Sequence, residues 1–588
     1  MSPFPGSLDL LNKVGVQSPS DSESAFTMIL LTALWIFIFS TIAHLVYKRW
    51  TRISIANIRG PQPRSTLYGK CNVYSNAAYD IGKTIYLGNF PEMIEGQAGD
   101  IDFKWQEEFG DVIRIKAPFC EERLLISDPK VLQYIYQTPG YSFTKTSGRL
   151  AISQTIFGPG LVSVDGDVHK RQRKVMMPGF GTPEIKAFVS IFFTHAGKMA
   201  AKWRDIISGN DGLSGTVDVP AWTSRATLDI IGQAAFDYDF GALDDKDNTL
   251  TKIVSNIVFD TFGLPTKKAV LSLSIMDMLP FSLSRFITKS LPISRLAHAH
   301  KLNRLTGAVS KQLVKEKHDA LIDGKSSKDI MSLLVKANAS ENPETRLSEQ
   351  ELLAQMITII MAGHETTSNS LSWALLELAK HPEIQTKLRD EIRAMEALVV
   401  SCGRSFTATD FDNMPYLTAV VKESLRFHPV SYNVFRVSEK DDVLPLLKPI
   451  VGKNGKVMHK VPIPKGLQII TSIAAYNRNK DIFGEDSNVF NPDRWLRDSV
   501  KSSVSLGMYA NLFTFSGGGR ACIGWRFAVL ELSAFIVELL NNFEFSLTNK
   551  GDSIRREACF VMTPTLEGQR ENGTQMHLNI RIASRDDM

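Results

Sequence analysis

The chain has 588 residues, of which 44% are hydrophobic and 22% are charged, and both values are ordinary for a folded protein. This composition excludes a mainly disordered chain, a collagen and a fibrous repeat protein. With 67 Lys and Arg against 62 Asp and Glu, the formal net charge is +5, too small over this length to indicate a nucleic-acid-binding protein.

The first apolar element is the stretch Ala25–Tyr47, which contains no Asp, Glu, Lys or Arg. As a helix it would span about 34 Å, which is enough to cross a bilayer. The sequence has no second apolar stretch of this length, so a multi-span membrane protein is excluded. Lys48 and Arg49 follow it directly, so the positive-inside bias predicts a lumenal segment 1–24, an anchor 25–47 and a cytosolic body. The alternatives are a buried core helix and a cleaved signal peptide, and the apolar run is long for the latter.

The body begins after a basic and proline-rich joint, residues 48–63, in which Pro61 and Pro63 cannot continue a helix. No later linker interrupts residues 64–588, so we predict one mainly α domain with minor β. Apolar periodicity predicts the helices Pro183–Ile207, Ala221–Phe236, Ile293–Leu321, Ser348–Lys380, Pro382–Val399, Met414–Phe427 and Ile523–Phe543. Short β-prone runs predict strands at Val112–Lys116, Arg123–Ile126 and Leu467–Ser472, with a turn over Met458–Pro464.

The glycine-rich loop FSGGGRACIG near the C-terminus carries Cys522. The five cysteines of the chain are scattered without CxxC spacing, which argues against a disulfide framework or a structural zinc site and favours a reducing compartment. Cys522 stands where the loop meets a predicted helix, whose unpaired N–H groups favour a thiolate. The glycines allow the backbone to approach a flat cofactor, and Arg520 could pair with an anionic group of it. Taken alone, the loop is also compatible with a buried free cysteine.

The full loop resembles the haem-binding signature of the cytochrome P-450 family, Phe-x-x-Gly-x-Arg-x-Cys-x-Gly. Its fixed positions are filled by Phe515, Gly518, Arg520, Cys522 and Gly524. The resemblance implies the cytochrome P-450 fold behind a single N-terminal transmembrane helix. It also implies haem b, iron protoporphyrin IX, with Cys522 as its axial thiolate ligand.

A second motif, Glu423-x-x-Arg426, places an acid and a base three residues apart on one face of a predicted helix. Alone, such a pair is more typical of a solvated surface. It matches the family's Glu-x-x-Arg, and Phe490–Trp495 matches the segment that supplies a second arginine, Arg494. The resemblance therefore implies a buried network of Glu423, Arg426 and Arg494 behind the haem, which fixes geometry more than it adds stability.

A third motif lies midway along the predicted helix Ser348–Lys380, where Gly363 is followed by Glu365 and Thr366. The missing Cβ of Gly363 would let the helix approach a ligand on iron. Alone, the acid and the alcohol could belong to an exposed polar face. The resemblance implies that the pair lies over the haem, binds O₂ and relays protons, which favours true monooxygenation.

The resemblance implies three further contacts with the haem propionates. Arg173 matches the family's arginine in Trp-x-x-x-Arg, while His169 replaces the tryptophan. A histidine N–H can donate to a carboxylate as an indole does, so the role can survive the change. Arg436 fits a further propionate partner. Without the resemblance, the run HKRQR around His169 indicates a basic surface turn.

The implied reaction inserts one oxygen atom of O₂ into a hydrophobic small molecule, with electrons from an NADPH-dependent flavoprotein reductase and cytochrome b5 as an optional second donor. The implied location is the endoplasmic reticulum membrane, where the protein would contact lipid, and no nucleic-acid partner is expected. Lys170, Arg171 and Lys174 form either a reductase-docking face or an ordinary solvated face.

The stretches that the family places around its substrate are largely apolar here: Thr146–Phe157, Ile359–Ala362, Val430–Val434 and Phe560–Thr563, with Tyr432 and Asn433 as polar handles. Similarity to fungal microsomal members favours a terpenoid-like substrate of secondary metabolism. Three alternatives stay open: a haem-thiolate isomerase or dehydratase that does not use O₂, a non-catalytic membrane-tethered haem-binding protein, and a thiol hydrolase that uses Cys522.

Overall fold

The computed structural model describes residues 32, 35, 39–40, 52–63, 88–138, 141–209, 212–244, 259, 262–290, 294–323, 328–338, 346–497, 500, 504–549 and 551–585. Contacts divide the chain into a unit over Met1–Ser54 and a larger unit over Ile55–Met588. The predicted segment 1–24 and all but four positions of the predicted anchor 25–47 lie outside the described residues. Among the residues described, no helix is both long enough and apolar enough to cross a bilayer. The predicted joint 48–63 is divided, because residues 55–63 belong to the larger unit.

The larger unit is mainly helical, as predicted. Its helices are α1 Phe90–Glu95, α2 Asp100–Phe109, α3 Pro129–Gln137, α4 Ser147–Phe157, α5 Gly166–Met176, α6 Thr182–Ala187, α7 Val189–Gly209, α8 Val219–Phe236, α9 Lys267–Met278, α10 Phe281–Ser290, α11 Ser294–Ile322, α12 Ile330–Asn338, α13 Glu349–Lys380, α14 Pro382–Ser401, α15 Ala408–Asp412, α16 Pro415–Phe427, α17 Ile473–Asn477, α18 Lys480–Phe483 and α19 Trp525–Asn542. Its strands are β1 Val112–Lys116, β2 Glu122–Ile126, β3 Phe143–Thr144, β4 Ser214–Asp218, β5 Asn433–Ser438, β6 Asp442–Val451, β7 Val457–Ile463, β8 Gln468–Ser472, β9 Gly507–Tyr509, β10 Leu512–Gly517, β11 Phe543–Leu547, β12 Ile554–Ala558, β13 Met562–Leu566 and β14 His577–Ile582.

The largest sheet has the strand order β1-β2-β8-β5-β3. Strands β2 and β8 are parallel, with Leu124 opposite Ile469, and the other pairs are antiparallel. Strand β5 places Arg436 opposite Ile469 of β8, so this sheet positions one of the predicted site residues. A second sheet has the order β11-β14-β4, and three two-stranded ribbons pair β6 with β7, β9 with β10 and β12 with β13.

The 32-residue helix α13 runs through the core and carries the predicted acid–alcohol motif. It begins with a capping box, in which Glu351 N–H donates to the Ser348 hydroxyl and Ser348 N–H donates to the Glu351 carboxylate. It ends at His381, because Pro382 starts α14 and cannot extend the preceding helix. Most of its residues are buried, and it packs against α8 and α19.

The sequence-based boundaries hold closely for α8, α11, α13, α14, α16 and α19, and for β1, β2 and β8. The predicted helix Pro183–Ile207 is divided at Phe188 into α6 and α7. The turn predicted over Met458–Pro464 is wrong, because most of that stretch belongs to strand β7, which pairs with β6. This ribbon is largely exposed, so its polar residues and Pro462 mask the alternation that marks a half-buried strand.

Candidate active site

A mostly apolar cavity of about 380 Å³ brings together three distant parts of the sequence. The loop before α19 contributes Cys522, helix α13 contributes Ala362 and Thr366, and the segment from Val430 to Arg436 contributes the edge of the large sheet. A concave apolar site with a few convergent polar groups is the usual form of a small-molecule or cofactor site. The three sequence motifs around Cys522, Thr366 and Arg436 therefore face one space.

The Cys522 loop is held by its backbone. Ser516 and Gly518 both have positive φ, 59° and 61°, and a Cβ on Gly518 would lie 2.0 Å from the Tyr136 carbonyl oxygen. Gly518 is thus required by the close approach of α3, a reason that the sequence did not reveal. The Cys522 N–H donates to the Phe515 carbonyl at 2.8 Å and closes the loop just before Gly524 caps α19.

Cys522 is exposed toward the cavity and enclosed by protein elsewhere. Burial raises the pKa of the Cys522 thiol, although the Gly524 N–H and the positive charge of Arg173 act in the opposite direction. The protein alone therefore favours the thiol, and a bound metal ion would supply the charge that releases the proton. In the described part of the chain no histidine donates to or accepts from Cys522 Sγ, so the arrangement lacks the base that a thiol hydrolase needs.

Hydrogen-bond donors that suit an anion line the same cavity: Lys145, His169, Arg173, Arg436 and Arg520. Arg173 Nη1 donates to the Ala521 carbonyl at 2.7 Å, which ties α5 to the residue before Cys522. Arg520 Nε donates to Asp165 at 3.1 Å, so its guanidinium is held in place. Arg436 is buried, and its Nε has no hydrogen-bond partner among the described residues. An unpaired guanidinium nitrogen at a cavity edge is suited to an anionic ligand.

His169 stands in the cavity wall as a neutral ring. Burial lowers its pKa to about 3, and the positive charges of Lys145 and Arg520 act in the same direction. Its Nδ1 lies 2.7 Å from the Tyr141 hydroxyl, whose pKa is raised by burial and which therefore keeps its proton to donate. When the Tyr141 hydroxyl donates to Nδ1, the ring proton is on Nε2, where it can serve as the donor expected in place of an indole N–H.

These residues fit a flat macrocycle with two carboxylates. The cavity offers a thiol for a metal ion, apolar walls for the ring, and cationic donors for anionic groups. Lys145 belongs to this set, although no motif in the sequence marks it. Burial lowers the pKa of Lys145 to about 7, and its Nζ donates to the Val164 carbonyl at 2.7 Å.

Thr366 and Glu365 are placed differently. Thr366 lines the cavity and its hydroxyl donates to the Ala362 carbonyl at 2.6 Å. Glu365 is not among the lining residues, and its carboxylate lies 3.5 Å from His364 Nε2. Gly363 borders the cavity, but a Cβ on it would lie 2.7 Å from Ile231 Cδ1, so its small size serves packing against α8.

Glu423, Arg426 and Arg494 are in contact and almost fully buried. Arg426 donates to both oxygens of Glu423, at 2.9 and 2.7 Å, and Arg494 Nε donates to Glu423 at 3.0 Å. Trp495 Nε1 and the Asn491 N–H also donate to the same carboxylate. The remaining donors of the two arginines bond to backbone carbonyls or to Asp486. The carboxylate and both guanidinium groups of this network therefore have hydrogen-bond partners.

The helices of the site are tied together at Glu351. Arg171 Nη2 lies 2.6 Å from Glu351, and Gln172 Nε2 donates to it at 3.0 Å. Although burial raises it, the pKa of Glu351 falls to about 2 because Arg171, the Ser348 N–H and Gln172 stabilise the carboxylate. Arg171 is therefore engaged within the fold, whereas Lys170 and Lys174 of the predicted docking face are exposed.

Sequence reasoning missed Glu531 on α19. It is fully buried and lies against Thr367, which lines the cavity. Within the described part of the chain, neither carboxylate oxygen has a hydrogen-bond partner at normal geometry. Burial raises the pKa of Glu531 well above its ordinary value, and the Thr367 hydroxyl acts in the opposite direction. The one signal in the sequence that could have indicated Glu531 is the presence of an acid within the apolar helix α19.

The predicted substrate stretches contribute unevenly. Ile359, Ala362, Val430, Ser431 and Val434 line the cavity. The stretches Thr146–Phe157 and Phe560–Thr563 contribute no lining residue, and neither do the expected handles Tyr432 and Asn433. Leu161 and Val162 lie there instead.

Comparison with known proteins gives one consistent result. The family model described as Cytochrome P450 matches residues 82–569. Cytochrome P450 monooxygenase 91 of Postia placenta is 33% identical over 476 residues, which cover 79% of this chain and 86% of that protein. Cytochrome P450 monooxygenase claP of Ampulloclitocybe clavipes is 32% identical over 571 residues, covering 94% and 97%, and claQ of the same fungus is 32% identical over 565 residues, covering 94% and 97%. The chain therefore belongs to the cytochrome P450 family, whose members bind haem b through a cysteine thiolate.

Proposed function

We propose that the protein is a membrane-anchored, NADPH- and O₂-dependent monooxygenase that inserts one oxygen atom into a hydrophobic small molecule. The observation that carries this proposal is Cys522, presented to an apolar cavity by the complete signature loop and sharing that cavity with Thr366. Bound haem would supply the reductive activation of O₂. The relatives, which are named as monooxygenases, support the same reaction class.

The side chains of the chain have separate tasks in this scheme. Cys522 would hold the iron, and His169, Arg173 and Arg436 would hold the propionates with the help of Lys145 and Arg520. Thr366 would hold a proton at Oγ1 on the cavity surface, and Glu365 would replenish it. The apolar walls would orient the substrate and exclude water.

The cavity walls favour an apolar substrate with few polar groups. Leu161, Ile359, Val430 and Val434 are apolar, and Ser370 and Ser431 add two hydroxyls. A rigid, terpenoid-like molecule of secondary metabolism suits such a surface, because it gains affinity from buried apolar area and orientation from one or two hydrogen bonds.

For location we propose the endoplasmic reticulum membrane, with a single span at 25–47 and the catalytic unit in the cytosol. The charge-free span and the basic residues after it support this orientation. Exposed apolar side chains on α9 and α10, among them Met278 and Phe286, would suit contact with lipid. The exposed Lys170 and Lys174 would attract an acidic reductase or cytochrome b5.

The test begins with the full chain in yeast microsomes. The reduced protein treated with carbon monoxide should give the absorption band of a thiolate-ligated haem. Cys522→Ala should abolish the band and all NADPH-dependent O₂ consumption, whereas the matched control Cys402→Ala, which changes an exposed cysteine, should retain both.

A mass-spectrometric product screen against terpenoids, sterols and fatty acids then separates the remaining alternatives. Oxygenated products that require NADPH and O₂ are expected. Turnover without NADPH would indicate an isomerase or dehydratase, and a normal band with no product from any compound class would indicate a non-catalytic haem protein. Protection of the N-terminus, but not the body, from added protease would support the proposed orientation.

A further inference from the structure

His364 is a buried histidine beside the predicted catalytic acid, and no sequence motif assigned it a task. It has no exposed surface, and it lies on α13 where that helix packs against α8. The Thr227 hydroxyl of α8 donates to its backbone carbonyl at 3.1 Å. The imidazole is enclosed by the core, and it is not among the residues that line the cavity.

The hydrogen bonds of the ring determine where its protons are. Nδ1 lies 2.9 Å from the Ile360 carbonyl oxygen, and a carbonyl oxygen can only accept, so Nδ1 carries a hydrogen. Nε2 is buried and has no hydrogen-bond partner of normal geometry among the described residues. A buried nitrogen without a partner is unfavourable, which makes its nearest ionisable neighbour significant.

That neighbour is Glu365. Its Oε1 lies 3.5 Å from His364 Nε2, within the range of an ion pair but longer than a normal hydrogen bond. The Glu365 side chain is 13% exposed, so water can reach part of it. A small rotation of the Glu365 side chain would bring Oε1 within hydrogen-bond distance of Nε2.

We propose that His364 is a positioning residue that shares one proton with Glu365 and so keeps this acid supplied. With Nδ1 already protonated, the pair has two forms: an imidazolium with a carboxylate, or a neutral imidazole with a carboxylic acid. The proton leaves Nε2 and binds Oε1, no other bond changes, and the total charge of the pair is conserved. After the acid gives its proton toward the cavity, a proton from solvent water binds the Glu365 carboxylate, which is the more exposed member of the pair, and can pass on to His364 Nε2. This inference rests on the proposed monooxygenase function.

Two substitutions separate the two ring nitrogens. Asparagine in His364→Asn places an amide N–H near the Nδ1 position and preserves the bond to Ile360, but it has nothing near Nε2. Glutamine in His364→Gln places its amide near the Nε2 position and can hold Glu365, but it cannot pass a proton to it. Both variants should retain the haem content and the carbon monoxide band of the wild type.

The measurement is the fraction of NADPH electrons recovered as hydrogen peroxide, with the reductase and 7-ethoxycoumarin as the probe substrate. His364→Asn should raise this fraction at least about twofold, the lower bound for residues that are energetically coupled. His364→Gln should raise it less. In a Glu365→Gln background, His364→Asn should not raise the peroxide fraction further. The proton that His364 passes to Glu365 in the wild type has no carboxylate to accept it in this background.

A merely structural role predicts another pattern, in which His364→Asn lowers thermal stability and haem content but leaves the peroxide fraction unchanged. That result, or additive effects of His364→Asn and Glu365→Gln, would overturn the inference. A wild-type protein without the thiolate-ligated band would instead refute the proposed function, so the two failures are distinguishable.

Discussion

The buried network around Glu423 and the polar groups at the cavity differ in how fully their hydrogen bonds are satisfied. In the network, one carboxylate receives donors from Arg426, Arg494, Trp495 and the backbone. Arg436 Nε in the cavity wall has no hydrogen-bond partner among the described residues. The same holds for His364 Nε2 and for the carboxylate oxygens of Glu531, which lie behind the lining residues.

The difference separates polar groups that stabilise the fold from polar groups that are available for a ligand or for proton transfer. A satisfied buried network fixes geometry, and removing one member leaves an uncompensated charge. Under-satisfied polar groups beside a cavity have the free capacity to bind a ligand or to move a proton. Substitutions in the two regions should therefore fail in different ways.

The largest effect is expected in the network. Glu423→Ala leaves Arg426 and Arg494 buried without their carboxylate, which should cost about 3–5 kcal/mol and prevent accumulation of folded, haem-loaded protein. Yield of the reduced carbon monoxide band measures this loss. The matched control is Glu544→Ala, which removes the partner of the exposed Arg581 and should cost at most about 1 kcal/mol. Equal yields for the two variants would contradict the contrast between the regions.

The second effect concerns Thr366. Thr366→Ala removes the hydroxyl from the cavity surface, and NADPH-driven product formation should fall on the order of 10²-fold while peroxide release rises. Haem content should stay normal, because the Thr366 hydroxyl donates to the Ala362 carbonyl of its own helix. Thr366→Ser keeps a hydroxyl and should retain most of the coupling. A Ser variant as uncoupled as the Ala variant would argue for packing instead of proton supply.

Arg436 should show a smaller, ligand-specific effect. Arg436→Leu removes a charged donor with a free nitrogen, and haem should dissociate about 10- to 100-fold faster, as expected for one hydrogen bond to a charged group. Transfer of haem to an excess of apomyoglobin measures the rate. Arg581→Leu on the surface provides the control and should leave the rate unchanged.

The smallest effect at neutral pH is expected for Glu531→Gln. The pKa of Glu531 is raised in the folded protein, so the folded state binds its proton more tightly than the unfolded chain, whose pKa is about 4.3. The associated stability is present below that pKa and is lost as the pH rises toward the folded value. The variant with glutamine does not lose stability in this way, because the glutamine side chain does not ionise. The melting temperature of Glu531→Gln should therefore gain on that of the wild type as the pH rises above the unfolded pKa. A difference that stays constant with pH would contradict the raised pKa of Glu531.

The signature residues could be predicted because each is required within one short segment. The Cys522 loop and the Glu423–Arg426 spacing are visible in the sequence, and so is the capping box at Ser348. The long helices were also predictable, since their apolar periodicity persists over many residues.

The remainder depends on contacts between distant segments. Lys145 and Glu531 reach the site through the packing of other elements, and nothing in their neighbouring residues marks them. The sequence also could not show why glycine is needed at positions 518 and 363. Gly518 leaves room for Tyr136 of α3, and Gly363 leaves room for Ile231 of α8, and both neighbours are distant in the sequence. The strand β7 was missed because an exposed ribbon has no apolar face to reveal its period.

The contacts of Glu351 have a consequence for assembly. Helix α5, which carries His169 and Arg173, is fastened to the start of α13 through Arg171 and Gln172. Opening this fastening to admit a rigid disc as wide as a porphyrin would expose charged groups that now compensate one another. Loading before the two helices dock avoids that cost, so chains made in cells short of haem should take up a later supply more slowly.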